Sequence, residues 1–126
     1  MESNKLVLSP LAHTWILDID GTIVKHNGYK IEGKDTLLPG VKDFFAKIPE
    51  GDMIVFLTSR SDEYRQLTID FLEESGLRYD HIIFNAPYGE RILVNDDKPS
   101  GLKCSVGVSL RRDEADFPRL ETDSSL

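Results

Sequence analysis

The sequence predicts an open α/β fold, a mostly parallel sheet flanked by helices. Three observations point there. Short continuous apolar runs, Thr14 to Leu17 and Met53 to Leu57, read as strands of a parallel sheet covered on both faces. Segments with helical spacing alternate with them. Three of the runs end in polar clusters, Asp18/Asp20, Thr58/Ser59 and Asp96/Asp97, and such sheets bind ligands beyond the carboxyl ends of their strands.

The elements follow in order. Thr14 to Leu17 is a first central strand. Residues 23–38 are polar and carry turn signals at Asn27-Gly28 and Gly33, so a short hairpin or flap is expected beside the strand tip. Pro39-Gly40 opens a helix with Val41, Phe44, Phe45 and Ile48 on one face, and Pro49 and Gly51 close it. Met53 to Leu57 is the second strand. A helix then runs from about Asp62 to Ser75, capped by Ser61, stopped by Gly76, and buried along Tyr64, Leu67, Phe71 and Leu72. His81 to Phe84 is a third strand and Arg91 to Val94 a fourth. Lys103 to Leu110 is expected as an edge strand. From Arg111 onward the chain is charged and Ser-containing, which predicts a mobile tail.

A chain of 126 residues with 40% hydrophobic content suits one domain, residues 1–110, followed by the tail, residues 111–126. No apolar run is long enough to span a bilayer, and Met1-Glu2-Ser3-Asn4-Lys5 lacks a signal peptide's apolar core. A single cysteine, Cys104, excludes an internal disulfide framework and fits a reducing, cytoplasmic setting; it reads as a small core residue. The net charge of -7 disfavours nucleic acid as a partner.

Asp18 and Asp20 are the most informative residues. Two carboxylates at one strand tip repel each other unless a cation or a shared proton compensates. A hard divalent ion such as Mg2+ is a natural solution and suits phosphate substrates. In that setting Asp18 can attack phosphorus to form an aspartyl-phosphate, and Asp20 can protonate the leaving oxygen and later activate water. Mg2+ would sit among Asp18, the carbonyl of Asp20 and an acid after the fourth strand, Asp96 or Asp97. Thr58 and the amide of Ser59 can bind phosphoryl oxygens, and a basic residue would neutralise the remaining charge.

These residues resemble the haloacid dehalogenase superfamily of phosphatases, over roughly residues 13–110. Asp18-Ile19-Asp20-Gly21-Thr22 matches its first motif, Leu57-Thr58-Ser59-Arg60 its second and Val94-Asn95-Asp96-Asp97 its fourth. The resemblance implies a Rossmann-like core and a Mg2+-dependent phosphomonoester hydrolase. The third motif, a Lys or Arg on a helix before the acidic pair, has no direct counterpart. Lys98 is the preferred substitute, ahead of Arg91 at the far end of its strand and Arg60. Of the acids, Asp96 is favoured as the direct ligand, with Asp97 binding through water or orienting Lys98. No insertion is long enough for a cap domain, so the chain resembles the capless branch, whose members borrow a neighbouring subunit as a lid or take large substrates. A dimer or tetramer would fit. Overall size and Asn85-Ala86-Pro87-Tyr88-Gly89-Glu90-Arg91 also resemble the small phosphatases of bacterial capsule and surface-polysaccharide loci. The implied substrate is a small phosphorylated sugar or sugar acid.

Other readings keep parts of this site. A phosphotransferase would pass the phosphoryl group to another alcohol, an open cleft would admit a polymeric substrate, and a non-catalytic module would only bind phosphate. Lys25, His26, Lys30 and Lys34 decorate the flap, either as a solvated face or as recognition for an acidic sugar or second phosphate. Tyr29 is a stacking platform or a subunit contact. His13 and His81 read as structural.

Overall fold

The computed structural model describes residues 4–126. The N-terminal reading of Met1-Glu2-Ser3 lies outside the described residues.

The chain orders β1 (Lys5–Leu8), β2 (Thr14–Leu17), α1 (Gly28–Ile31), α2 (Val41–Ala46), β3 (Met53–Leu57), a 3-10 turn (Asp62–Tyr64) leading into α3 (Arg65–Glu74), β4 (His81–Ile83) and β5 (Arg119–Thr122). β2, β3 and β4 form a parallel sheet in that order, with Leu17 beside Phe56 and Phe56 beside Ile82. β1 and β5 form a second, two-stranded parallel sheet. This is a mixed α/β molecule with small open parallel sheets flanked by helices.

The three-stranded sheet buries one face. Ile54 and Phe56 of β3 and Leu17 of β2 pack against Val41, Phe44, Phe45 and Ile48 and against Leu72. Leu38 and Val24 extend this core toward the strand tips. The opposite face, expected to be covered, carries Ile16 and Ile83, each more than half exposed. Period-2 side-chain alternation explains the split: residues in register across the strands share a face, and only one face meets the helices.

The helices differ from expectation in two respects. Leu67 is exposed, while Thr68 takes the buried position on α3. A polar side chain is stable there because its hydroxyl donates to Tyr64 O (2.7 Å) and accepts from Arg60 (2.8 Å). Ser61 stands at the predicted cap position but makes no capping bond from its side chain. The flap does return on itself, with Lys25 N–H bonded to Thr36 O and Leu38 N–H to Ile23 O, and it encloses the single turn of α1.

Two expected strands do not form. Residues 91–94 and 103–110 have no regular structure, and Ile92 and Val94 are exposed. An apolar run becomes a strand only where a neighbour supplies ladder bonds and a packing surface. Here Arg91 is instead drawn to the tips of β2 and β3, and a turn closes at Lys98–Leu102 through Lys98 N–H to Leu102 O (3.0 Å). Conversely, the segment expected as a mobile tail supplies β5, and Phe117 stacks on Phe44 with centroids 4.1 Å apart. Cys104 is half-buried.

His13 is structural, as expected. It joins Trp15 on the carboxylate of Asp52, which accepts from His13 N (3.0 Å) and Trp15 Nε1 (2.9 Å) and pairs with His13 Nδ1 (2.8 Å). Burial works to raise the Asp52 pKa, but the bonds from Trp15 and His13 outweigh it and hold the group below the ordinary carboxylate value. A depressed folded pKa stabilises the protein above the unfolded value and loses that contribution as pH falls through the folded one. Asp52→Asn is therefore expected to lower stability at neutral pH by about 1–3 kcal/mol. The deficit against wild type should shrink below about pH 4, as read by urea unfolding at several pH values.

Candidate active site

The site is built where β2 and β3 end side by side. The chain leaves β2 at Asp18, and the turn after Asp20 is closed by Gly21 N–H to Val24 O and by Ile23 N–H to Ile19 O. Gly21 has φ +83, and a Cβ there would also lie 3.1 Å from Arg112 Cγ, so two constraints call for glycine. Ile19 and Ile23, both fully buried, anchor the loop on either side of Asp20.

Asp18 has a side chain 37% exposed, and both of its oxygens are engaged. Oδ2 accepts from Thr22 Oγ1 (3.2 Å) and Oδ1 from Arg91 Nη1 (3.0 Å). The same Arg91 donates to Leu57 O (3.0 Å) and to Ser59 Oγ (3.3 Å), so it bridges the two strand tips.

Asp20 faces a different arginine. Arg60 donates from Nε to Asp20 Oδ2 (3.0 Å) and from Nη2 to Asp20 Oδ1 (2.9 Å). It also bonds Asp35 Oδ2 (3.0 Å), Asp35 Oδ1 (2.7 Å) and Thr68 Oγ1 (2.8 Å). All five N–H donors of the guanidinium are thereby used. Its flat face lies 3.9 Å from the Tyr29 ring centroid. Burial disfavours the charge on Arg60, but the bonds to Asp20 and Asp35 overcome it and raise the pKa, so the cation persists at any accessible pH.

Above these acids opens a cleft of about 410 Å3, lined by Asp18, Asp20, Ser59 and Arg91 on the strand side. His26, Tyr29 and Lys30 from the flap, Tyr88 and Gly89 from the loop after β4, and Arg112 from the C-terminal segment complete it. That volume falls in the range of small-molecule sites. Three basic side chains face two acids, in a chain whose net charge is -7.

The predicted site residues divide. Asp18, Asp20 and Ser59 meet in the cleft. Thr58, expected on the phosphoryl group, is buried, and its hydroxyl accepts from Arg60 N–H (3.1 Å) to shape the turn after β3. Asp96, Asp97 and Lys98 lie on the exposed segment away from the cleft lining, and Asp97 pairs with Lys103 at 2.6 Å. With no strand at residues 91–94 to deliver them, sequence adjacency to an apolar run does not bring them to the tips. Arg91, ranked behind Lys98, is the cation at Asp18 because it does not start a strand. Tyr29, a stacking platform or an exposed subunit contact on sequence grounds, is buried against Arg60 and Tyr64.

Among the described residues, no group of three or more His, Cys, Asp or Glu side chains comes together to hold a metal ion. Asp18 and Asp20 are each engaged by an arginine, and Asp96 and Asp97 do not line the cleft with them. Sequence reasoning missed Asp35 and Arg112. Nothing local marks Asp35. The Arg111-Arg112 pair in an acidic chain was a signal for the second.

No protein-family model matches the chain, no curated protein matches it, and no solved structure matches its fold.

Removing the guanidinium leaves Asp35, whose side chain is 1% exposed, as a buried charge without a partner. Arg60→Met is expected to destabilise the protein by about 3–5 kcal/mol. Arg60→Lys should recover little of it, since an ammonium cannot bond two carboxylates in fork geometry. Chemical denaturation of the three proteins checks this.

Proposed function

We propose that the protein is a phosphomonoester hydrolase working through an aspartyl-phosphate, a capless enzyme of the haloacid dehalogenase type. The observation that carries this reading is the placement of Asp18 and Asp20 on one parallel-strand tip, facing a cationic cleft together with Ser59 of the neighbouring tip. The first motif's residue types and spacing add to it.

In this reading an Asp18 oxygen attacks phosphorus opposite the leaving oxygen, forming the Asp18 Oδ–P bond as the P–O bond to the substrate breaks. Thr22 and Arg91 orient the Asp18 carboxylate, and Arg91 and Ser59 stand where phosphoryl oxygens would arrive. Asp20 relays to the leaving oxygen a proton that the substrate's phosphate monoanion brings in. It then takes one from the water that attacks the aspartyl-phosphate, which restores Asp18 and releases phosphate. Arg60 uses one lone-pair direction on each Asp20 oxygen, and a carboxylate has about four, so Asp20 keeps acceptor capacity toward the cleft. Mg2+ is implied by the resemblance alone and, when bound, would offset the negative charge of the carboxylates and phosphate. A small phosphorylated sugar or sugar acid suits the size of the cleft, and surface-polysaccharide synthesis is the setting that the softer resemblance implies.

One observation favours a second reading. Arg91 is already paired with Asp18, an arrangement a phosphate-binding module would also use to receive a phosphorylated ligand.

The test is phosphate release from a panel of sugar phosphates and an aryl phosphate, with Mg2+ and with EDTA. Asp18→Asn is expected to lower turnover by on the order of a thousandfold or more, while folding as wild type by circular dichroism. Binding of the panel without release from any member would favour the module.

A further inference from the structure

The cations of the cleft are not equivalent. Arg91 is paired with Asp18, and Arg60, behind the wall, with Asp20 and Asp35. Lys25 of the flap is paired with Glu32 and does not line the cleft. Lys30 and Arg112 do line it, and among the described residues neither has a carboxylate within ion-pairing distance. Beside them, His26 Nδ1 is buried with no hydrogen-bond partner among the described residues, and His26 lines the same cleft. A buried polar atom without a partner is costly unless a ligand or water completes it.

Arg112 is held there by construction. Its successor Asp113 donates its N–H to Gly21 O (2.8 Å), and the Asp113 carboxylate accepts from His26 N–H (2.7 Å). The Arg112 stem lies over Gly21, in the space a side chain there would claim. Asp113 and Ala115 take up left-handed backbone conformations, φ 65 and φ 48, in making this crossing. β5 and the Phe117–Phe44 stack then tie the segment down on its far side. The C-terminal segment thus straps the loop that carries Asp18 and Asp20 and contributes a basic side chain to the cleft above it.

We propose that Lys30, Arg112 and His26 form a subsite for a second anionic group on the leaving group of the substrate. The preferred substrates are then phosphomonoesters that also bear a carboxylate or another phosphate. The proposal rests on the phosphoryl-transfer reading for the position of the reacting phosphate. Arg91 and Ser59 serve that phosphate, and two cations with no internal counter-charge remain in a cleft large enough for the rest of a small molecule. An anion on the leaving group would meet charge-assisted bonds from Arg112 and Lys30, beside His26.

Two substrate pairs test it: 6-phosphogluconate against glucose 6-phosphate for the carboxylate, and fructose 1,6-bisphosphate against fructose 6-phosphate for the phosphate. Wild type is expected to favour the anionic member of at least one pair in kcat/KM. Arg112→Gln should cut that preference about tenfold, mainly through KM, with a smaller cut in Lys30→Gln and partial recovery in Arg112→Lys. Equal kcat/KM within both pairs, or a preference untouched by both neutral variants, overturns the subsite. Should wild type release phosphate from none of the four, the hydrolase reading falls. Calorimetric binding of the same pairs then decides the subsite: an anionic preference that Arg112→Gln abolishes upholds it, and equal affinities reject it. Should Arg112→Gln fail to fold, Lys30→Gln decides, because Lys30 is exposed on a single-turn helix.

Discussion

The buried guanidinium of Arg60 is the interaction on which the arrangement of the site depends. Moving a cation out of water is expensive, and here the expense is met by two carboxylates, a hydroxyl and an aromatic face. Those partners come from three places: the loop after β2, the flap with its turn α1, and α3. Each must stand where the guanidinium fork points, so one side chain sets the distance between the strand tip, the flap and the helix. The apolar core below could tolerate small shifts among these elements. The fork geometry tolerates far less, because every N–H is already used.

That constraint gives two neighbouring acids different surroundings. Asp20 is gripped by a buried cation and 16% exposed, whereas Asp18 is held by a hydroxyl and a more exposed arginine and opens to the cleft. The repulsion that two carboxylates on one strand tip would feel is offset by two arginines, one to each acid. The same logic organises the charge of the molecule. An acidic protein can keep a basic cleft when its excess carboxylates lie elsewhere, and the C-terminal segment contributes to this by delivering Arg112 above the loop.

Much of the fold was legible because it is local. Thr14 to Leu17, Met53 to Leu57 and His81 to Ile83 are short β-rich runs bounded by turns, and α2 shows its buried face, Val41, Phe44 and Phe45, as plain helical spacing. β5 was not legible, since Arg119–Thr122 has few apolar residues and becomes a strand only because β1 offers it a ladder. Arg91 to Val94 errs in the opposite direction: its composition is right for a strand, yet no partner stands beside it.

The amino-acid sequence by itself determined the alternation of strands and helices and the delivery of Asp18, Asp20 and Ser59 to neighbouring strand tips. Those features depend on side-chain period, on turn residues and on the direction of parallel strands, all of which are written within a few residues of each site. Only the tertiary structure decided which charges meet. Arg60 is 40 residues from Asp20 and 25 from Asp35, Arg91 is 73 from Asp18, and Asp113 reaches His26 across 87. An ion pair is set by distance in space and by how far each partner is removed from water, and neither quantity has a local signature in the chain.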